Sequence, residues 1–280
     1  MFARQAILWS GLAFLSAGPR SDAVQILALE RWGEYQPVGT LVQYDTQAPA
    51  SGQVVGQTGL AVVGAMDFFN GRLWAASAAG GRLRFWQINP QTAQATLISA
   101  AGSHTEAFVF GGSFDPQGRF WVTDLGLDTL ACYDPWTGQR ISSAPIQSNL
   151  VIPGLAFLGS TLYALGIVTP VGSGPSSVGT LNPSTGEFTP LAANSGVGGS
   201  NGFDYDPTSG KLFATYPSGS PSASSGLRSI DPTTGLSTSL GRLTPIGTYD
   251  AIAVVPEPAG MFLLGFGVLL WPRRRSGSAR

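Results

Sequence analysis

The sequence of 280 residues contains one cysteine and one histidine. Because a disulfide needs two thiols, Cys132 cannot form one within the chain, and no cysteine cluster can hold a metal. Cys132 lies between Ala131 and Tyr133 on a predicted strand, where a small apolar core residue is expected. His104 is equally alone, which excludes a multi-histidine metal site. It follows Ser103, but that adjacency is no evidence of a catalytic triad, because triads are recognised by their spatial geometry.

Charge is also scarce. Charged residues make up 11% of the chain and the formal net charge is -1, so no basic field is available for binding nucleic acid. The 38 glycines and 20 prolines exclude a coiled coil or a long-helix protein, because both residue types break helices. The 43% of apolar residues exclude a disordered chain. These proportions favour a globular, turn-rich, all-β protein.

The first 23 residues have the order of a secretory signal peptide. Arg4 is the single cation before a run of apolar and small residues that extends from Ala6 to Ala17, as in the charged and apolar regions of such peptides. Ser21-Asp22-Ala23 supplies small residues before a cleavage point, so we expect cleavage after Ala23. Cleavage after Ala17 or Gly18 is an alternative, and so is a buried N-terminal helix.

The C-terminal region consists of a proline-rich triplet, a short apolar run and an arginine cluster. Thirteen residues without a charge, 259–271, precede Arg273-Arg274-Arg275. A helix of this length spans about 20 Å, less than the roughly 30 Å hydrocarbon core of a bilayer. The arginines would hold the C-terminal end on the cytoplasmic side, so residues 276–280 are expected to be a cytoplasmic tail.

These parts closely resemble, in the same order, the PEP-CTERM sorting signal of Gram-negative bacteria. The resemblance covers residues 255–275, and its motif residues are Pro256, Glu257, Pro258, Arg273, Arg274 and Arg275. It implies an exported protein that stays in the inner membrane until an exosortase cleaves near the triplet. It also implies release to the cell surface or extracellular matrix, with exopolysaccharide or matrix components as partners. An ordinary single-span membrane anchor is the alternative.

Between the two signals, residues 24–255 are periodic. An Asx residue begins a predicted turn every 44 to 49 residues, and the later copies continue with proline and, four residues after the Asx, glycine. The Asx side chain can cap its own turn, proline fixes φ and glycine supplies a positive φ, so each copy predicts a hairpin turn. The Asx positions are Asp45, Asn89, Asp134, Asn182 and Asp231.

A second motif, a predicted inner strand, recurs with the same period and is followed by an aromatic-containing strand. Four units of four strands, from about Met66 to Thr238, predict a β-propeller, with the aromatic residues packed between blades. A fifth inner strand at 252–255 can join the predicted strands 25–30, 40–45 and 53–55. This overlap closes a ring and removes its free edges. We therefore predict five four-stranded blades; six blades, a β-sandwich and an open solenoid are the alternatives.

The repeats resemble propellers of the streptogramin-lyase, gluconolactonase and NHL types, most clearly in the segment from Ser113 to Asp124. In gluconolactonase-like enzymes, the resemblance implies, carboxylate and amide groups hold a divalent metal in the central channel. The equivalent inner-strand positions are expected to face the channel here, and Asp67 and Asp204 are the candidate ligands for calcium or another divalent cation. The alternative is that these side chains cap neighbouring backbone amides. The positions are Asp67, Ser113, Ala156, Asp204 and Ala253.

Asp124, Asp128 and Asp134 form a second acidic group, whose spacing does not follow the EF-hand pattern; a calcium-stabilised loop is one interpretation of it. The sequence offers no catalytic set. It favours an exported surface or matrix protein whose propeller is a non-enzymatic binding or structural module. The alternative is a metal-dependent hydrolase or lyase that works in the channel, similar to gluconolactonases or streptogramin lyases.

Overall fold

A computed structural model describes residues 23–33, 39–60, 62–79, 81–102, 109–168, 176–197, 202–217, 225–244 and 247–256. His104 and the predicted signal segments, apart from Ala23, Val255 and Pro256, lie outside these residues. Within the described ranges there is one 3-10 helix, at Pro49–Ser51, and no helix is long and apolar enough to span a membrane.

Twenty strands account for most of the described chain. In chain order they are β1 (Gln25–Gly33), β2 (Thr40–Asp45), β3 (Gln53–Gln57), β4 (Ala65–Phe69), β5 (Arg72–Ala79), β6 (Arg82–Ile88), β7 (Ala95–Ala100), β8 (Val109–Phe114), β9 (Phe120–Asp124), β10 (Thr129–Asp134), β11 (Gln139–Pro145), β12 (Val151–Leu158), β13 (Thr161–Ile167), β14 (Ser176–Leu181), β15 (Phe188–Ala192), β16 (Phe203–Asp206), β17 (Lys211–Pro217), β18 (Ser225–Ile230), β19 (Ser237–Arg242) and β20 (Gly247–Val254).

In the described residues these strands form five antiparallel sheets of four, so the predicted all-β, five-bladed propeller is confirmed. The first four blades are β4–β7, β8–β11, β12–β15 and β16–β19. The fifth blade has the strand order β20-β1-β2-β3, which is the predicted overlap between the two ends of the propeller. The inner strands β4, β8, β12, β16 and β20 lie side by side in that order, and β20 returns to β4.

The core is divided into five clusters, one between each pair of neighbouring blades. Trp74, the aromatic residue of β5, packs with Phe114 and Phe120 of the second blade. Trp121 occupies the equivalent place between the second and third blades, and Phe213 the place between the fourth and fifth. The prediction that these aromatic residues pack between blades is thereby confirmed. Cys132 is buried in one of these clusters, where burial raises the pKa of its thiol to about 12.

The recurring Asx turns have the predicted mechanism. The Asx oxygen accepts the amide two residues later in every copy, at 2.8–2.9 Å. The glycine four residues after the Asx has a positive φ in the turns that end at Gly138, Gly186 and Gly235. In the turn that begins at Asn89, Ala93 takes that place with a φ of 61°. The turn therefore tolerates alanine where the surroundings leave room for its methyl group.

These three glycines also lie against the preceding blade, Gly186 most closely, which leads to a stability prediction. A Cβ on Gly186 would stand 2.0 Å from the Pro145 carbonyl oxygen, whereas one on Gly210, with a similar positive φ, would have no neighbour within 4 Å. We expect Gly210→Ala to cost about 1 kcal/mol through its φ alone. Gly186→Ala should cost about 3 kcal/mol, because overpacking adds to the strain. Urea unfolding measures both; equal losses would contradict the interblade contact.

Candidate functional site

The five equivalent inner-strand positions form a ring around the inner strands, in which Ala156 and Ala253 are packed in the cores between blades. Each pairs with the second strand of its own blade in the same register: Asp67 with Trp74, Ser113 with Trp121, Ala156 with Tyr163, Asp204 with Phe213 and Ala253 with Leu27. Asp67, Ser113 and Asp204 line one shared cavity of about 290 Å³, together with residues of the turns that follow the inner strands. The structure therefore brings the three candidate side chains together.

The residue that follows each ring position presents a backbone amide to be satisfied. Where the ring position of the preceding blade is polar, the side chain at that position accepts a hydrogen bond from this amide. Phe114 N donates to Asp67 Oδ2 at 2.6 Å, Phe157 N to Ser113 Oγ at 3.0 Å and Val254 N to Asp204 Oδ2 at 2.6 Å. These bonds tie neighbouring inner strands together.

The two alanines of the ring have no side-chain acceptor, and in each case the next blade has an aspartate at its ring position. The blade after that of Ala156 has Asp204, whose Oδ1 accepts the amide of Tyr205 in its own blade at 2.7 Å. The blade after that of Ala253 has Asp67, which also accepts a hydrogen bond from the Phe68 amide in its own blade. Three side chains thereby satisfy five amides, because each aspartate serves two of them.

The two carboxyl groups also affect one another. Burial raises the pKa of Asp67 to about 6, against the opposing hydrogen bonds from Phe114, Ser113 and Phe68. Burial also raises the pKa of Asp204 well above its usual value, and the charge of Asp67 adds to that shift. Perturbed carboxyls in a cavity are a common sign of a functional site. Here the hydrogen bonds assign both groups a structural task as well.

The other predicted acidic group does not converge. Asp124 Oδ1 accepts the amides of Gly126 and Leu127, and Asp134 accepts the Trp136 amide and the Thr137 hydroxyl within its own Asx turn. Asp128 has a positive φ. Among the residues that the structure describes, no group of three or more histidine, cysteine or acidic side chains could hold a metal ion.

A further charged pair, which the sequence patterns did not single out, lies between the second and third blades. Arg119 Nε donates to Asp115 Oδ2 at 2.6 Å, and Trp121 Nε1 donates to the same oxygen at 2.9 Å. The Asp115 side chain is buried, whereas that of Arg119 is 42% exposed. Both residues lie in the segment from Ser113 to Asp124, which carries the clearest resemblance to known propellers. Only the folded turn shows that the aspartate fixes the arginine.

No protein-family model matches this chain, and no curated protein matches its sequence. Its fold is similar to a chain in the crystal structure of a nidogen/laminin complex, with a TM-score of 0.53 and 11% identity, covering 84% of this chain and 98% of that one. TolB from Acinetobacter baumannii has a TM-score of 0.50 and 13% identity, covering 84% and 67%.

A protein of unknown function from Bacteroides caccae has a TM-score of 0.50 and 11% identity, covering 84% of this chain and 100% of that one. At such identities the similarity extends to the fold alone. The chain is, by its fold, a β-propeller of five four-stranded blades.

Proposed function

We propose that this protein is exported and acts at the cell surface or in the extracellular matrix, with its propeller as a non-enzymatic binding or structural module. The observation that carries the proposal is the use of the ring side chains. Asp67, Ser113 and Asp204 are all engaged in satisfying backbone amides between blades. A rigid closed ring results, and its carboxylates are committed to holding the blades together.

The position of the two ends of the propeller is compatible with removal of both proposed signals. Strands β1 and β20 pair with each other, with Ile26 opposite Val254, and Val255 N donates to the Gln25 carbonyl at 2.8 Å. The proposed signal peptide and the proposed sorting signal therefore join the propeller side by side, just outside its last paired strands. Removal of both segments would leave every blade complete.

We further propose that residues 255–275 are a PEP-CTERM signal processed by an exosortase. The sequence of Pro256-Glu257-Pro258, the apolar run and the arginine cluster supports this. Pro256 lines the cavity at the channel mouth, so the sorting segment would leave the propeller on that face. The inner membrane would hold the protein before cleavage.

Replacement of the triplet tests this proposal. In a Gram-negative host that has an exosortase, we expect the wild-type chain in the surface or extracellular fraction, shortened near the triplet. A variant with alanine at Pro256, Glu257 and Pro258 should remain in the inner membrane at full length. A Pro232→Ala variant, altered in a propeller turn, serves as the control. Identical processing of the triplet variant and the wild type, measured by mass spectrometry, would contradict the proposal.

The alternative function is a metal-dependent hydrolase or lyase in the channel. One observation favours it: Asp67 and Asp204 share a cavity and both have raised pKa values, as carboxyls do when they are placed to bind a cation or a proton. That function would require a divalent cation to compete with the backbone amides for the carboxylate oxygens.

A further inference from the structure

Neighbouring blades meet along clefts that are lined by equivalent residues. Each cleft lies between the second strand of one blade and the Asx turn of the next. On the strand side, Trp74 and Trp121 hold the same register position, since they pair with the ring residues Asp67 and Ser113. On the turn side, the second residue after the Asx is Trp136 in one cleft and Ser184 in the next. The repeats therefore allow one cleft to be compared with another.

The cleft between the first and second blades is occupied by an aromatic side chain of the protein. The indole of Trp136 lies edge-on to Trp74, with ring centroids 4.7 Å apart and an angle of 87° between the planes. The guanidinium of Arg72 lies 5.7 Å from the centre of the Trp136 ring. An aromatic side chain beside a tryptophan and an arginine is thus an arrangement that this repeat accommodates.

The cleft between the second and third blades has the same tryptophan and arginine, with Phe157 beside Trp121, but no aromatic side chain at the turn position. Trp121 replaces Trp74, and Arg119, two residues earlier, replaces Arg72. Ser184 stands where Trp136 would be, and a cavity of about 530 Å³ is open there. Arg119 is held by Asp115 and by Gln117, whose Oε1 accepts from Nη2 at 3.2 Å. Its exposed side chain is therefore fixed at the cavity before any ligand arrives.

One outer-strand position of this cavity is polar where its equivalents in two other blades are apolar. On the outer strand, the position of Ser143 corresponds to Leu97 in the first blade and Val54 in the fifth. The cleft between the fifth and first blades also has a cavity, of about 550 Å³, which is lined by Leu27, Val54 and Val55 and by three glutamines, Gln43, Gln53 and Gln91. Blade packing thus accepts an apolar residue at the position of Ser143, so the hydroxyl of Ser143 is not needed for the fold.

We propose that the cleft between the second and third blades binds a pyranose ring of a carbohydrate, in the space that the Trp136 indole fills in the neighbouring cleft. Sugar hydroxyls are suited to the Arg119 guanidinium, the Gln117 amide and the hydroxyls of Ser142, Ser143 and Ser184, all of which line the cavity. Ligand sites commonly combine such a concave wall with a few placed polar groups. This inference rests on the proposed function as a binding module and names its ligand class.

The experiment uses protein purified after expression from the full sequence. Saturation-transfer NMR is recorded with methyl glycosides of glucose, galactose, mannose, N-acetylglucosamine and glucuronic acid, and with N-acetyltryptophanamide as an aromatic probe. We expect saturable binding of at least one glycoside. Ser184→Trp introduces the indole that Trp136 supplies in the cleft between the first and second blades. It should weaken the binding at least about tenfold, a change of about 1.4 kcal/mol.

Gln91→Trp, at the same turn position in the cleft between the fifth and first blades, is the matched control and should bind as the wild type does. Ser143→Leu introduces the residue found in the first blade and should also weaken binding, which keeps the test decisive if Ser184→Trp does not fold. Binding of no glycoside, binding of the aromatic probe alone, or equal affinity in both cleft variants would overturn the proposal. Those results would leave export and sorting intact, because these are measured by fractionation.

Discussion

A chain that ends at residue 246 is expected not to fold cooperatively, although of the twenty described strands it lacks only the last. Strand β20 pairs with β1 and lies between the inner strands of the fourth and first blades. Its side chains alternate between two cores: Ala251 and Ala253 belong to one cluster, and Ile252 and Val254 to another. Removing the strand opens the ring and exposes both cores.

The expected loss is comparable to the whole stability of a domain. Burying an aliphatic side chain of the size of isoleucine or valine stabilises a fold by about 1.5–3 kcal/mol, and β1 would lose its partner as well. A total on the order of 6 kcal/mol approaches the 5–15 kcal/mol typical of native proteins.

The matched control for this truncation is the span 23–256, which retains β20 and omits most of the proposed signals. It should unfold in one transition, measured by near-ultraviolet circular dichroism during heating. If the chain that ends at residue 246 melted at the same temperature as the control, the overlap would not be the closure of the ring.

The second large effect is a loss of stability as the pH rises. In the unfolded chain Asp67 is expected to release its proton near its usual pKa of 3.8, whereas in the folded chain it does so at about 6. Between these values the folded state holds more protons, so the free energy of unfolding falls as the pH rises and levels off above the folded pKa. A difference of about two units corresponds to about 3 kcal/mol.

Asp204 should shift stability in the same direction, because burial and the neighbouring Asp67 raise its pKa too. The acidic groups that line this mouth are Asp67, Asp204 and Asp115, the last of which is paired with Arg119. No basic side chain lines the same cavity among the described residues. The contribution of Asp67 and Asp204 to the free energy of unfolding is therefore expected to be larger at pH 4 than at pH 8.

Asp67→Asn isolates the contribution of one carboxyl. The amide oxygen can still accept the Phe114 amide, but the side chain no longer ionises. At pH 8 we expect the variant to be more stable than the wild type by about 2 kcal/mol, since relief of the buried charge outweighs one lost acceptor oxygen. At pH 4 the difference should vanish or reverse. Urea unfolding at both pH values measures this; parallel curves for the two proteins would contradict the raised pKa.

The fold was largely predictable from the sequence because its signals are local and repeated. The Asx turns recur with a nearly constant spacing, and each combines a side-chain cap with residues that favour a turn. The overlap of the chain ends followed from counting: an inner strand at 252–255 lacked partners, and three strands near the start lacked an inner strand. Strand ends were less predictable, since β20 begins at Gly247 rather than at 252.

The chemistry of the ring was predictable only in part. The expectation that Asp67, Ser113 and Asp204 occupy equivalent positions followed from the motif. The division of five amides among three side chains did not, because it depends on contacts between residues more than forty positions apart. The available signal was that each blade with an alanine at the ring position is followed by a blade with an aspartate there. This pattern becomes visible only once the order of the blades is known.

The open cleft over Trp121 was hidden for a related reason. Ser184 and Trp136 occupy the same turn position, but the sequence does not show that this position faces a tryptophan of the preceding blade. The structure shows it through the contact between Trp136 and Trp74. Differences between repeats thus become informative about binding only when the packing partner of each position is known.

We infer that the carboxylates of Asp67 and Asp204 bind backbone amides in place of a metal ion. Isothermal titration of the purified protein at pH 7.5 with calcium, magnesium and zinc tests this inference, with Asp67→Asn titrated alongside. We expect no saturable heat for any of the three ions in either protein. Binding of one ion per chain to the wild type, abolished in Asp67→Asn, would contradict it and favour an enzyme that works in the channel.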